Sequence, residues 1–282
     1  MILRNSGAEI FIPGDTSKER ALERTTHLGI GAHPDDLEIV AYHGILQSFQ
    51  SEDNWFFGVT VTDGSGSPRA GAYANYSDEA MHVVRREEQK RAAALGEYGG
   101  VALLDYASAA VKDADNPDVV EDLKTLIEAA KPWVIYTHNL ADKHDTHVAV
   151  VLRTIEAVRG LDEESKPRKL YGCEAWRDLD WMFEADKVAL DVGGHEELAS
   201  SLLVVFESQI AGGKRYDLAT LGRWRANATY HETHGTDTTS ALIYAMDLTP
   251  LIRNPRLEVR RFVAERIDRF ARDVFARLGE ML

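Results

Sequence analysis

The sequence predicts an α/β protein, with a Rossmann-like, mostly parallel sheet flanked by helices and a C-terminal extension beyond the alternating core. Three observations carry that expectation. Apolar runs of strand length alternate with longer runs of helical periodicity between residues 27 and 160. The two densest polar clusters follow directly on such apolar runs, at carboxyl ends of predicted strands, where open α/β sheets bind their ligands. A long helical pattern with one apolar side ends the sequence.

Taken in order, Leu28 to Ala32 reads as a short buried strand and Leu37 to Phe49 as the helix after it. Trp55 to Thr62 is the strongest strand, rich in aromatic and β-branched residues and closed by Asp63-Gly64. Ser77 is placed to cap a helix running to Leu95, with Gly96 just past its end. Val101 to Leu104 makes a third strand. Asn116 and Pro117 open the next helix as N-cap and first residue, and Val119, Val120, Leu123, Leu126, Ile127 and Ala130 form its apolar stripe. Trp133 to Tyr136 is the fourth strand. Past Gly160 the pattern loosens into a charged connector over 162–169, an aromatic-rich stretch from Leu170 to Phe183 and a helical stretch from Leu198 to Ile210. Arg256 to Leu282 then forms an amphipathic helix with Val259, Phe262, Val263, Ile267, Phe270, Val274 and Leu278 on its apolar side. Gly64 to Ser77, rich in Gly, Ser and Tyr, is expected as a mobile loop beside an active site. The chain reads as one domain over 1–282, with its core over about 25–160 and residues 161–282 completing the pocket.

Composition narrows the partners. A formal charge of −14 argues against nucleic acid and against an anionic membrane surface, since both demand a basic face. The single cysteine, Cys173, allows no intrachain disulfide and fits a reducing compartment. Met1 to Ser6 lacks the apolar core of a signal peptide, and no stretch approaches the ~20 apolar residues of a spanning helix. A cytoplasmic location is the expectation.

Chemistry concentrates in two clusters. Gly31-Ala32-His33-Pro34-Asp35-Asp36-Leu37-Glu38 packs a histidine and two adjacent carboxylates into a strand-to-helix turn. Asp142-Lys143-His144-Asp145-Thr146-His147 follows the fourth strand, with two histidines three apart and so neighbours at a helix onset. Together they offer His33, Asp36 and His147 as three metal ligands, which leaves Asp35 and His144 unspent. Three protein ligands with an open position suit a catalytic ion, and a spare carboxylate and imidazole suit the proton transfers of metal-assisted hydrolysis.

The Ala-His-Pro-Asp-Asp-x-Glu run followed by a later His-x-x-His pair resembles the PIG-L/LmbE-like metal-dependent de-N-acetylases. Val61-Thr62-Asp63-Gly64, Arg85-Arg86-Glu87-Glu88 leading to Ala94-Leu95-Gly96, and Phe206-Glu207-Ser208-Gln209 extend the likeness. The resemblance implies a hydrolase that removes the acetyl group from an N-acetylglucosamine unit, releasing acetate and a free amine, with Zn2+ or another divalent ion such as Fe2+. It implies Asp35 as general base, His144 as the group facing the oxyanion, and Arg85 and Asp63 as contacts to a small amino-sugar substrate. It also implies closed homo-oligomers, although no residue here establishes one. Two departures stand out. Thr146 replaces the family's usual aspartate, so Asp145 is the nearest candidate to orient a histidine from behind. Tyr42-His43-Gly44 stands where the family has paired glycines.

Blander readings compete. A lone aspartate at a helix start is most often a cap, but that does not account for Asp35, Asp36 and His33 together with the second cluster. His231-Glu232-Thr233-His234 lacks the spacing of a zincin site and sits among loop residues, which favours a surface role. His43 reads as a satisfied, partly buried histidine. Alternatives for the whole chain are an amidase acting on a larger glucosamine conjugate, or a Rossmann-like nucleotide- or sugar-binding protein without catalysis. Against the nucleotide, two carboxylates at the first strand-helix turn would repel a pyrophosphate.

Overall fold

In the computed structural model, which describes every residue except 212 and 282, the chain alternates strand and helix as its periodicities dictate. Along it lie β1 (Glu9–Phe11), α1 (Lys18–Glu23), β2 (His27–Gly31), α2 (Leu37–Val40), α3 (Tyr42–Ser48), β3 (Phe56–Thr62), α4 (Asp78–Leu95) and β4 (Gly100–Tyr106). There follow α5 (Ser108–Lys112), α6 (Asp118–Ala130), β5 (Val134–His138), α7 (Asp145–Arg159), β6 (Lys169–Cys173) and β7 (Lys187–Asp191). Then come α8 (Glu196–Val204), α9 (Glu207–Ile210), α10 (Tyr216–Tyr230), β8 (Leu242–Asp247), α11 (Thr249–Arg253) and α12 (Val259–Met281).

One eight-stranded sheet has the order β1-β4-β3-β2-β5-β6-β8-β7. The five strands from β4 to β6 are parallel, and β1, β8 and β7 join the two sides antiparallel. The mostly parallel, Rossmann-like sheet expected from the sequence is therefore present, with antiparallel strands at both edges. Its two faces are covered by separate apolar layers. Leu37, Ile45 and Ala92 pack with Trp224 on one side, and Leu123, Ile127, Val150 and Leu251 lie on the other. Successive strands leave β2 toward β3 and β4 and then cross to β5 and β6, so the strand order reverses between β2 and β5. A crevice opens at the carboxyl ends of strands at such a reversal, and both polar clusters follow these two strands.

Local chemistry accounts for some element ends. Ser77 Oγ accepts the Ala80 N–H and starts α4, and Asn116 Oδ1 accepts the Asp118 N–H and starts α6. The expected helix over 37–49 is two short helices, because Ala41 (φ −115°) breaks the helical path between them. The fourth strand runs two residues past its expected end, to His138, held by pairing with β6. Strands β1, β6, β7 and β8 lie outside the four strands expected from the sequence. The 64–77 loop contains a 3-10 turn at Gly71–Tyr73 and lies against Ala211. No helix among the described residues is long and apolar enough to cross a membrane.

Glu174, just past β6, is buried with its carboxylate accepting N–H groups of Tyr244 and Leu179 at 3.3 Å and the Asn227 amide. Burial pushes its pKa from an ordinary 4.5 up to about 7. The folded chain therefore holds this proton between pH 4.5 and 7 while the unfolded chain has released it, so stability falls as pH rises through that window. Glu174→Gln is expected to flatten the dependence of Tm on pH between about 4.5 and 7, measured by thermal unfolding across buffers.

Candidate metal centre

The turn after β2 is built on two constraints. Gly31 leaves room that a Cβ would take from the Asp36 side chain, 3.0 Å away. Asp36 Oδ2 accepts the His33 N–H at 2.7 Å, and the Asp36 N–H returns to the His33 carbonyl at 3.2 Å, closing a tight loop. Asp35 sits at its apex with φ of 105°, a conformation that favours glycine and that Asp and Asn tolerate better than most side chains. Across the crevice, α7 begins at Asp145. His144 caps it, with Nδ1 accepting the Thr146 N–H at 3.3 Å, and His147 lies buried in its first turn.

Three donor atoms converge. His33 Nδ1 stands 3.1 Å from Asp36 Oδ2, His147 Nε2 stands 3.3 Å from His33 Nδ1, and His147 Nε2 stands 3.4 Å from Asp36 Oδ2. Two imidazole nitrogens and a carboxylate oxygen aimed at one point hold together only with a proton or a metal cation between them. Ligands ~2.1 Å from an ion at tetrahedral angles are ~3.4 Å apart, so the triangle has the size that a small divalent ion needs. Burial alone would raise Asp36, but His147 and His138 outweigh it and hold the carboxyl well below its ordinary range. The Asp36 carboxylate is thus ionised at neutral pH, and the donor set fits such an ion.

His138, which the sequence reading left out, completes the floor. It is fully buried at the end of β5 and its Nε2 accepts the Ala32 N–H at 2.9 Å. That nitrogen lies 3.4 Å from Asp36 Oδ2, and the ring stacks on His147 with centroids 3.8 Å apart. Burial drives its pKa down to about 4, so the ring is neutral. Asp36, His138 and His147 form one buried donor group and His33, His144 and His147 a second, overlapping one.

The carboxylate behind His147 is Asp142, not Asp145. Asp142 Oδ1 lies 3.5 Å from His147 Nδ1 and accepts the His144 N–H at 3.0 Å, and Oδ2 accepts the Trp176 N–H at 3.1 Å. Asp145 is exposed, because helix α7 starts there and turns its side chain outward. His144 has no carboxylate partner among the described residues. Burial, with His147 and His33 adding to it, lowers its pKa, and the bond from Thr146 fixes the proton on Nε2. It is therefore a neutral donor, in contrast to the carboxylate-supported imidazolium that a partner at Asp145 would have made.

Arg85, expected as a substrate contact, is only 1% exposed. Its guanidinium bonds the Pro34 carbonyl, pairs with Asp35 Oδ2 at 3.0 Å and with Glu88 Oε2 at 3.2 Å. Glu88 in turn accepts the Ser208 N–H at 2.8 Å and its hydroxyl at 2.7 Å. Arg85 thus holds the Asp35 turn from behind, tying it to α4 and α9. Burial still raises the Asp35 carboxyl, with Arg85 opposing and Asp36 adding to it. Asp63 is half-buried at the end of β3, where Oδ1 accepts the N–H and hydroxyl of Ser65 at 3.0 Å and shapes the loop start. Gly64 beyond it has φ of +68° and lies against Arg85 and Pro34. Trp176, whose N–H bonds Asp142, stands edge to face with Tyr216 at 5.7 Å. His43 bonds the Tyr136 hydroxyl at 2.8 Å, away from the cluster. His231 bonds the Tyr244 hydroxyl at 3.2 Å and His234 is exposed, and neither belongs to a donor group among the described residues.

Removing Asp142 and Asp145 in turn separates the two aspartates. Asp142→Asn is expected to weaken metal affinity about 10–100-fold, the usual cost of losing the carboxylate behind a ligating histidine. Asp145→Ala should leave it unchanged, with competition against a fluorescent chelator as the readout.

Residues 28–158 match the family model PIG-L, described as GlcNAc-PI de-N-acetylase, so the family resemblance read from the motifs holds over that segment. Comparison with curated proteins gives no match. Among solved structures, N,N'-diacetylchitobiose deacetylase from Pyrococcus horikoshii aligns at TM-score 0.59 and 18% identity, covering 78% of this chain and 83% of that one. The 4-carboxy-2-hydroxymuconate hydratase GalB from Pseudomonas putida aligns at 0.60 and 16%, covering 83% and 98%. A zinc-inhibited form of teicoplanin deacetylase aligns at 0.54 and 15%, covering 78% and 97%. At these identities the likeness is one of fold.

Proposed function

We propose that this chain, PIG-L-like over residues 28–158, is a metal-dependent hydrolase that removes the N-acetyl group from an N-acetylglucosamine-containing substrate. The observation that carries the proposal is the 3.1–3.4 Å triangle of His33, Asp36 and His147 with Asp35 and His144 beside it. The hydratase among the fold neighbours means that the sheet alone cannot choose the reaction, and the family motifs favour amide hydrolysis.

His33, Asp36 and His147 would hold the ion. When bound, a divalent cation such as zinc or iron(II) supplies an acidified water and a positive charge that polarises the amide carbonyl. Asp35 adjoins a ligand without being one, and its carboxylate takes the proton of the attacking water and passes it to the departing amine. The Nε2–H of His144 donates to the oxygen of the tetrahedral intermediate, and donation from a neutral ring needs no protonation step. Asp142 keeps His147 oriented, and Arg85 keeps Asp35 at its strained apex. Trp176 and Tyr216 form the wall against which a pyranose ring would rest.

An acetate-release screen over N-acetylglucosamine, its phosphates, chitobiose and glycosyl conjugates tests the reading. Release of acetate and a free amine from at least one of them, abolished by a chelator, is the expected result. No release from any of them in metal-loaded protein would overturn it. His144→Ala should lower kcat by roughly 10²–10³-fold with KM nearly unchanged, because its bond strengthens mainly in the transition state. Equal losses in kcat and binding would remove it from that role.

A further inference from the structure

We propose that α12 pairs antiparallel with α12 of a second copy, making the chain a two-fold symmetric dimer. The helix is 23 residues, about 34 Å, long, yet only Phe262 in it is buried. Val259 and Val263 pack on the core, Phe270 meets Trp181 and Arg269 pairs with Asp186, all in its first half. From Ala271 onward its polar side chains bond only within the helix, as in the Arg277–Asp273 pair. A helical segment without tertiary packing is marginal in water, and this one carries a continuous apolar seam.

Ala264, Ile267, Ala271, Val274, Leu278 and Met281 recur at alternating spacings of three and four, the seam of a two-stranded coiled coil. Ile267 and Leu278 each leave 49% of their surface in solvent and Met281 leaves 83%. The seam is matched to itself in reverse. With the helices antiparallel and centred between Arg272 and Asp273, Ile267 meets the partner's Leu278, Ala271 meets the partner's Val274, and Ala264 meets the partner's Met281. Each small side chain faces a larger one, and no polar residue enters a layer. Such self-complementarity is what an isologous contact requires.

Charge selects the orientation. Residues 259–281 hold six arginines and four acids, a net of +2, so the rest of the chain carries −14 − 2 = −16. A parallel pair would set two acidic bodies side by side. The antiparallel pair separates their anchor points by roughly the full helix length and brings together only the segments of opposite sign to the bodies.

Sedimentation of the full chain tests the pairing. The wild type is expected to be a dimer at micromolar concentration, and Ile267→Asp with Leu278→Asp to be a monomer with unchanged helical circular dichroism and Tm within a few degrees. Orientation is read from cysteine variants, with Cys173 buried and out of reach. An equimolar mixture of Ala264→Cys and Met281→Cys should cross-link under mild oxidation, while neither variant does so alone. A monomeric wild type at 100 µM, an oligomer indifferent to the two aspartates, or cross-linking within a single variant would each overturn the proposal. So would a monomer that sediments with anionic lipid vesicles, which would assign the seam to a membrane surface.

Discussion

His147→Ala is expected to yield a folded chain that holds no metal ion and releases no detectable acetate. His147 is the cleanest ligand to remove. Asp36 also accepts the His33 N–H and closes its turn, and His33 lies in that same turn, so replacing either disturbs the loop as well as the donor set. His147 is a buried ring in the first turn of α7 whose partners are the other donors and Asp142. Its loss opens a small cavity and leaves two ligands, too few for a stable site in the three-ligand arrangement of a catalytic ion. Metal analysis should fall from about one ion per chain to near zero. Added metal should raise the Tm of the wild type, which binds it only when folded, and leave that of the variant unmoved. A variant that retained a full equivalent of metal would show that the ion is held elsewhere, for instance by the Asp36 and His138 donors of the inner group.

The residues that the sequence revealed are those whose geometry is local. His33, Asp35 and Asp36 are adjacent at a strand-to-helix turn, and His144 and His147 are one helical turn apart, so their convergence needed only the rule that α/β sites lie at strand ends. His138 was not legible, because the end of β5 is fixed by its pairing with β6, where Thr137 opposes Gly172 and His138 opposes Cys173. Nothing within Trp133 to Tyr136 marks that extension. The choice between Asp142 and Asp145 turned on where α7 begins, since Asp142 lies in the loop before the helix and folds back against His147, whereas Asp145 is the first helical residue and is exposed. Arg85 illustrates a different limit. A long cation near a site reads as a substrate contact, whereas its burial against Asp35 and Glu88 depends on α9 arriving from more than a hundred residues later. The edge strands were silent for a related reason, as three residues at β1 are too few to display alternation.

Asp35→Asn is expected to keep the metal ion and lose 10²–10⁴-fold in kcat, equivalent to about 3–5 kcal/mol of transition-state stabilisation. Asparagine is the right replacement because it accepts a positive φ at least as readily as aspartate, so the 105° apex survives where alanine would let the turn relax. It also keeps a carbonyl oxygen for Arg85 while abolishing the ability to take a proton. The assigned role further fixes the acid limb of the rate profile. Burial raises the Asp35 carboxyl despite Arg85, and a base works only when unprotonated, so wild-type activity should fall as pH drops through that raised pKa. The residual activity of the asparagine variant should lack that limb. Arg85→Lys provides the counterpart, since it retains a charge but cannot reach Pro34, Asp35 and Glu88 together from one planar group. It should lower kcat more than it raises KM. Near-normal turnover of metal-loaded Asp35→Asn would transfer the proton chemistry to another group, with His144 the nearest one able to carry it.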